Sequence, residues 1–397
     1  MTTQPQPTVH GLDGTLVEPD WPSLTLPEVR QLLAGFPSLG EPLEIAWTSP
    51  RPLSAAALVR AERSSVFVKR HHRSVRDRDG LHEEHRFLDH LLAHRVSVPR
   101  VLRDSRGETA IEAGDWTYEV HSTAPGIDLY ADVISWQPFT SAAHARAAGA
   151  ALAALHLASE SFSAPARKPQ PLVASFSIFS ADDPAAGMET YLRARPLLDT
   201  NTGVRRCAVR ALDLLAGFHG ELHPHLAHLE SLWTHNDLHC SNLLWSDATE
   251  HAQATAIIDF GLADRTNAVH DLAHAIERNI IEWLALVQHP DCPEEVPLHL
   301  EDLEALLDGY QSVRPLSAQE AAALAPTTAL CHAEFALSEA EYFLGPLHSE
   351  EKARMAYDGW LLGHAEWFRC ARGASLLDAI RRWAARSTSP DFRGVRS

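Results

Sequence analysis

The stretch His235-Asn236-Asp237-Leu238-His239-Cys240-Ser241-Asn242 has the form H-x-D-x-x-x-x-N, and downstream a hydrophobic run, Ala256-Ile257-Ile258, leads into Asp259-Phe260-Gly261. These residue types suit phosphoryl transfer. An acceptor hydroxyl must be held in line with the γ-phosphate of ATP, and a carboxylate must orient it and take its proton; Asp237 suits that role. The charge on the phosphates calls for Mg²⁺, which prefers hard oxygen ligands and keeps some waters. Asn242 offers an amide oxygen and Asp259 a carboxylate, one on a loop and one at a strand end, so that both can converge on one ion. The first pattern alone turns up by chance in roughly 5% of chains this long, but an apolar strand closed by D-F-G shortly after it makes coincidence far rarer. His235 reads as a buried structural histidine supporting the loop, not as a catalyst.

A second constellation lies upstream. Lys69 ends the apolar run Val66-Phe67-Val68, and the helix that follows places Glu84, Leu88, Leu91 and Leu92 on one face. A carboxylate on an apolar stripe costs desolvation unless it is paired. Lys69 is its natural partner, and the pair would hold the lysine toward the α- and β-phosphates. Glu83 lies on an adjacent face; the alternative for Glu84 is to reach out to solvent.

The elements that must position these groups follow from the local pattern. Residues 1–40 form an extension in which Leu26 to Phe36 suits a short helix. Strands are expected at Leu43–Thr48, Ala56–Ala61 and Ser65–Arg70, a helix at about Leu81–His94, and strands again at Val98–Arg103, Thr109–Glu112 and Trp116–His121. That layout is a small antiparallel sheet with one helix packed on it, over residues 41–121. From residue 122 to 397 the chain reads as a larger, mostly helical lobe carrying the catalytic loop and a substrate pocket. In it Ser141–Ala158 is a buried helix, Phe162–Gly187 a long loop, and Leu243–Trp245 with Thr255–Ile258 a short hairpin. The fold class is α+β and bilobal.

Composition sets limits on partners. The formal net charge of −18 disfavours a nucleic-acid partner, which usually meets a basic face. The five cysteines are scattered and odd in number with no C-x-x-C pair, which suits a reducing compartment. No apolar run approaches bilayer-spanning length and the first residues are polar, so a cytoplasmic protein with no membrane partner is expected.

Lys69, Glu84, the His235–Asn242 stretch and Asp259-Phe260-Gly261 occur in the order found in protein-kinase-like enzymes. In detail the chain resembles the aminoglycoside phosphotransferase, choline kinase and type II homoserine kinase group. Pro125-Gly126-Ile127-Asp128-Leu129 is similar to that group's segment past the hinge, Gly149–His156 to its following helix, and Asp271-Leu272-Ala273 to its D-L-A. The resemblance spans roughly Leu43 to Ala385. It implies the protein-kinase-like fold, ATP and Mg²⁺ as cofactors, a buttressing role for Asp271 on the catalytic loop, and an adenine site at Glu119, Val120 and His121. The first inter-strand loop departs from the family by lacking glycine, leaving Ser49 and Ser54 as its phosphate donors. The absence of an A-P-E segment argues against a protein substrate. A substrate pocket on the large-lobe helices is implied, with Glu277, Glu282, Trp283, Glu334 and Glu341 as acidic and aromatic candidates for holding an amine.

The function expected is transfer of the γ-phosphate to a hydroxyl of a small molecule: an amino alcohol, an amino acid such as homoserine, an amino sugar or an aminoglycoside. Two other readings are open. One is a pseudokinase or nucleotide-binding module. The other is a metal-dependent hydrolase built on the alternating His235, Asp237 and His239, which leaves Lys69, Glu84 and the D-F-G without a role.

Overall fold

The structure is a computed structural model that describes residues 9–10, 15–51, 53, 55–131, 133, 135–288 and 293–388. It divides into two compact units, Met1–Ala93 with Ser97–Pro125, and His94–Val96 with Gly126–Ser397.

The first unit opens with a small pair of strands, β1 (Val9–His10) and β2 (Leu16–Val17), and the helix α1 (Leu26–Leu33). Five antiparallel strands follow: β3 (Pro42–Thr48), β4 (Ala55–Ala61), β5 (Ser65–His72), β6 (Ile111–Ala113) and β7 (Trp116–Ser122), in the order β3-β4-β5-β7-β6, with α2 (Arg78–Ala93) inserted after β5. The strand expected at Val98–Arg103 is reduced to one bridge, Val101 to His121. Pro99 interrupts that segment and has no N–H to give a ladder.

The later part of the segment read as an extension contributes to this unit's core. Leu24, Val29, Leu33, Phe36 and Leu39 are buried against Val59, Val66, Val68 and Val120. Thr25 caps α1 in a reciprocal capping box with Glu28. Glu28 in turn accepts from Arg70 Nη1 and from the Tyr118 hydroxyl, each at 2.7 Å. These bonds fasten α1 to β5 and β7. Burial alone would raise the Glu28 carboxyl, but the bonds from Tyr118 and Arg70 hold it below its ordinary value.

The second unit runs through α3 (Ala142–Ser159), α4 (Pro184–Arg193), α5 (Pro196–Thr200) and α6 (Thr202–Leu222) to two short antiparallel pairs. β8 (Ser231–Thr234) pairs with β11 (Asp264–Asn267), and β9 (Leu243–Trp245) with β10 (Ala254–Ile257). The helices α7 (Ala268–Ile280), α8 (Trp283–Gln288), α9 (Leu300–Val313), α10 (Ala318–Leu330), α11 (His332–Leu344), α12 (Glu350–Arg354), α13 (Leu361–Trp367) and α14 (Ala371–Ser387) complete it. The helices α3 and α9 meet at glycines: a Cβ on Gly149 would lie 2.0 Å from the Leu306 carbonyl oxygen, and one on Gly309 2.0 Å from that of Arg146. Only hydrogen fits there. Among the described residues, no helix is long and apolar enough to cross a membrane.

Candidate active site

The H-x-D-x-x-x-x-N segment leaves β8, turns, and enters β9 through the 3₁₀ turn Cys240–Asn242. β8 pairs with β11 and β9 with β10, so the two ladders clamp the loop at both ends. Inside it Asn236 has φ of 60°, a left-handed conformation that asparagine tolerates better than most residues. Its buried Oδ1 accepts from the hydroxyls of Thr234 at 2.9 Å and Thr266 at 3.1 Å, and its Nδ2 donates to the Leu262 carbonyl at 3.3 Å. Asn236 thus ties the loop to the segment after Asp259-Phe260-Gly261.

One helix, α7, sets the rest. Asp271 is fully buried in its first turn. Its Oδ1 accepts from Asn236 N at 2.7 Å, and its Oδ2 from His235 N at 2.8 Å and from His156 Nε2 on α3 at 2.9 Å. Burial alone would raise this carboxyl, but the bonds from His156 and His235 hold it below its ordinary value. Two turns further, Arg278 Nε lies 3.0 Å from Asp237 Oδ1. Next to it, Asn279 accepts from Cys240 N at 3.0 Å and donates to the Leu238 carbonyl at 2.9 Å.

Asp237 is therefore held from two sides. Asn242 Nδ2 donates to its backbone oxygen at 2.9 Å and to its Oδ2 at 3.1 Å, while Arg278 faces Oδ1. Burial pushes the Asp237 carboxyl up to about 6; Arg278 and His235 pull it down, and the nearby charge of Asp259 pushes it up. Asn242 spends its amide nitrogen on Asp237, so its amide oxygen is the atom available to a cation. Asp259 stands exposed at φ 62°, and Phe260 beneath it is buried edge-on to His235 at 4.7 Å. An amide oxygen and a carboxylate are the hard donors that Mg²⁺ takes.

His235 has both ring nitrogens engaged: Nδ1 accepts from Asp237 N at 3.1 Å and Nε2 donates to the Ile258 carbonyl at 3.0 Å. A metal ligand needs a lone pair turned outward, so the hydrolase reading on His235, Asp237 and His239 is set aside. His239 Nδ1 lies 2.9 Å from Ser241 Oγ, and its Nε2 is 4.0 Å from Asp237 Oδ2.

In the first unit, Lys69 is half-buried on β5, registered between Ala56 of β4 and Glu119 of β7. Glu84 is buried on α2, and its neighbour His85 reaches the sheet face on which Glu119 lies. Ser49 closes the first turn, its N–H donating to the Ala56 carbonyl at 2.8 Å and its hydroxyl accepting from Arg51 N at 3.2 Å. Ser54 lies outside the described residues.

At Glu119, Val120 and His121, where adenine was expected, the Glu119 side chain and one backbone group have partners within the unit. Glu119 is buried, and its carboxylate accepts from His85 and His121 at 2.8 Å and from His71 at 3.0 Å. Burial alone would raise it, but these histidines hold it well below its ordinary value. The Val120 carbonyl accepts from Leu102 N at 2.7 Å, and Glu119 and His121 are registered against Lys69 and Phe67. The Val120 carbonyl is thus engaged within the unit.

The substrate candidates are also largely committed. Glu334 is buried and accepts from the hydroxyls of Ser175 and Ser177 and from Ile178 N, pinning the long loop to α11. Glu341 pairs with Arg195 at 3.1 Å, and Glu282 with His299 at 2.7 Å. Trp283 is buried, stacked on His364 at 3.6 Å, and its Nε1 donates to the Glu277 carbonyl at 3.0 Å. Glu277 faces His332 and His364. Asp237 meets a buried guanidinium, that of Arg278, which also stands over Phe335 at 4.8 Å and Trp136 at 5.8 Å. Arg278 stands two turns after Asp271 on α7, a spacing that turns both side chains toward the loop.

Residues 53–316, more than half of the chain, match the model of the phosphotransferase enzyme family. No curated protein matches. Among solved structures, a microcompartment-associated aminopropanol kinase is similar with a TM-score of 0.56 at 21% identity, over 88% of this chain and 99% of that one. The aminoglycoside phosphotransferase APH(4)-Ia is similar with a TM-score of 0.52 at 14% identity, over 86% of this chain and 99% of that one. At these identities the likeness concerns the fold, a kinase-like α+β architecture. The family match adds the chemistry, and the chain belongs to the phosphotransferase enzyme family.

Proposed function

We propose that the protein transfers the γ-phosphate of ATP, with Mg²⁺, to a hydroxyl of a small molecule such as an amino alcohol, an amino acid or an amino sugar. The observation that carries this reading is the setting of Asp237, with Arg278 Nε 3.0 Å from one carboxylate oxygen and Asn242 Nδ2 3.1 Å from the other. A carboxylate fixed on both sides can orient an acceptor hydroxyl and take its proton without searching for a geometry.

Other roles follow in the same proposal. Asn242 and Asp259 would hold the ion, which when bound neutralises the phosphates. Lys69, backed by Glu84, is assigned the α- and β-phosphates. Asp271 keeps the loop in register through the backbone of His235 and Asn236. The reading of adenine is assigned to backbone groups near Glu119, Val120 and His121, at the end of β7. Retention of Lys69, Glu84, Asp237, Asn242 and Asp259 together favours catalysis over a nucleotide-binding module. Cytoplasmic residence belongs to the same proposal, because ATP is abundant there and the described cysteines Cys207, Cys331 and Cys370 form no disulfide among the described residues.

The test is a panel of small hydroxyl compounds incubated with ATP and Mg²⁺, followed by ADP release and by the mass of the phosphorylated product. Turnover that needs both an acceptor and Mg²⁺ supports the reading. ATP binding without transfer to any acceptor would favour the binding module instead.

A further inference from the structure

We propose that Glu277, His332 and His364 form a site for one divalent ion of the zinc class, behind the catalytic loop. The three side chains come from three helices, α7, α11 and α13. Their ligand atoms all lie within 4.8 Å of one another. Glu277 Oε1 is 3.4 Å from His332 Nδ1 and 3.5 Å from His364 Nδ1. Zinc bonds to nitrogen and carboxylate oxygen are about 2.0–2.2 Å, so ligand atoms at a tetrahedral ion stand about 3.3–3.5 Å apart. Two of the three separations in the cluster already have that spacing.

Burial makes the spacing informative. Glu277 is 1% exposed, His332 7% and His364 3%. Among the described residues, both ring nitrogens of His332 and of His364, and Oε2 of Glu277, have no hydrogen-bond partner. Buried polar groups are nearly always satisfied, so two orphaned Nδ1 atoms facing one buried carboxylate call for something between them.

The first unit supplies a contrast. His85, Glu119 and His121 form an equally compact buried cluster of the same residue types. There the histidines donate directly to the carboxylate at 2.8 Å, and His85 Nδ1 meets Thr109 Oγ1 at 2.9 Å. That cluster is closed by its own hydrogen bonds and asks for no ion. At Glu277 the same composition is left unsatisfied.

The surroundings suit a fixed, dry site. Trp283 stacks on the His364 ring with an interplanar angle of 15°, and Phe335 stands edge-on to His332 at 5.8 Å. Two imidazoles favour a zinc-class ion over Mg²⁺. Among ionisable neighbours, Arg278 opposes a cation, while Glu339, whose carboxyl is pushed up to about 8 by burial and whose Oε1 also lacks a partner among the described residues, favours it only once ionised. The donor set of two histidines and one glutamate leaves a fourth position for water. An ion there would tie α11 and α13 to the helix that carries Arg278 and Asp271.

The test uses the full chain, stripped with a chelator and titrated with Zn²⁺ against a chromophoric competitor, and separately with Co²⁺ followed by visible absorption. One tight equivalent and a four-coordinate Co²⁺ spectrum are expected. The double variant His332→Ala/His364→Ala should lose that equivalent, with affinity at least about 100-fold weaker, and Glu277→Gln should weaken it by about tenfold or more. Zinc uptake by the wild type no tighter than by the double variant would overturn the site, because it would mark adventitious binding to surface histidines. If the variants do not fold, as judged by circular dichroism, the wild-type Co²⁺ spectrum decides: an octahedral spectrum alone contradicts the site. Neither titration contains ATP or an acceptor, so failure here leaves the phosphotransfer reading standing.

Discussion

Arg278 and Asp237 form an ion pair at 3.0 Å in which the guanidinium is 2% exposed and the carboxylate 17%. The cation sits on a rigid helix and the anion on the loop that is to perform the chemistry. The pair therefore links the position of α7 directly to the aim of the proposed base.

Removing Arg278 should be costly for both fold and rate. Arg278→Met leaves a mostly buried carboxylate without its cation, a loss on the order of 3 kcal/mol. Urea denaturation should show a lower midpoint with an unchanged slope, and the transfer rate should fall at least about tenfold. Arg278→Lys, which restores charge but not the planar fork, should recover part of the stability and less of the rate.

Asp271→Asn tests the loop's anchor. The carboxylate accepts three N–H groups through two oxygens, and an amide has only one oxygen to offer. At least one buried donor would face an NH₂ group. We expect a loss of about 3 kcal/mol or more and a fall in kcat, with nucleotide affinity changed far less. Equilibrium unfolding and nucleotide titration on the same sample separate these effects.

Much of this arrangement was legible in the sequence. Strands β3, β4 and β5 and helix α3 announce themselves by apolar periodicity, and the hairpin β9–β10 by two apolar runs around a polar turn. The polar strand β11, Asp264-Arg265-Thr266-Asn267, has no such signal; it is a strand because β8 lies beside it. The histidines around Glu119 were equally hidden, since His71 and His85 reach it from positions 48 and 34 residues away. Pattern located β7, but not which strands and which bridge flank it.

Gly149→Ala and Gly309→Ala probe the α3–α9 crossing. Each new methyl would meet a backbone carbonyl oxygen at 2.0 Å, which no rotamer change can relieve. The helices must move apart, at a cost of about 2–3 kcal/mol or more. Thermal unfolding should show each variant several degrees below the wild type, and the pair should be less than additive because one separation relieves both clashes.

Asp264 gives a pH signature in stability. Burial pushes its carboxyl up to about 6, despite bonds to its Oδ1 from Arg167 N and Arg265 N at 2.7 Å. A carboxyl with a raised folded-state pKa stabilises fully below its unfolded value near 4, and that contribution is lost as pH rises to about 6. Asp264→Asn keeps one oxygen for both N–H donors and cannot ionise. It should match the wild type near pH 4 and gain on it up to pH 6, by at most about 3 kcal/mol. Denaturation midpoints of both proteins across that range check this; parallel curves would show that Asp264 is not the source.

The most direct measurement is single-turnover transfer from ATP to an acceptor found in the hydroxyl panel, for the wild type and Asp237→Ala at matched nucleotide occupancy. If Asp237 orients the acceptor, the variant should bind Mg²⁺–ATP with affinity within about threefold of the wild type while transfer falls by at least about 100-fold. Transfer by Asp237→Ala at a rate close to the wild type would show that another group does this work, and the role assigned to Asp237 would be wrong.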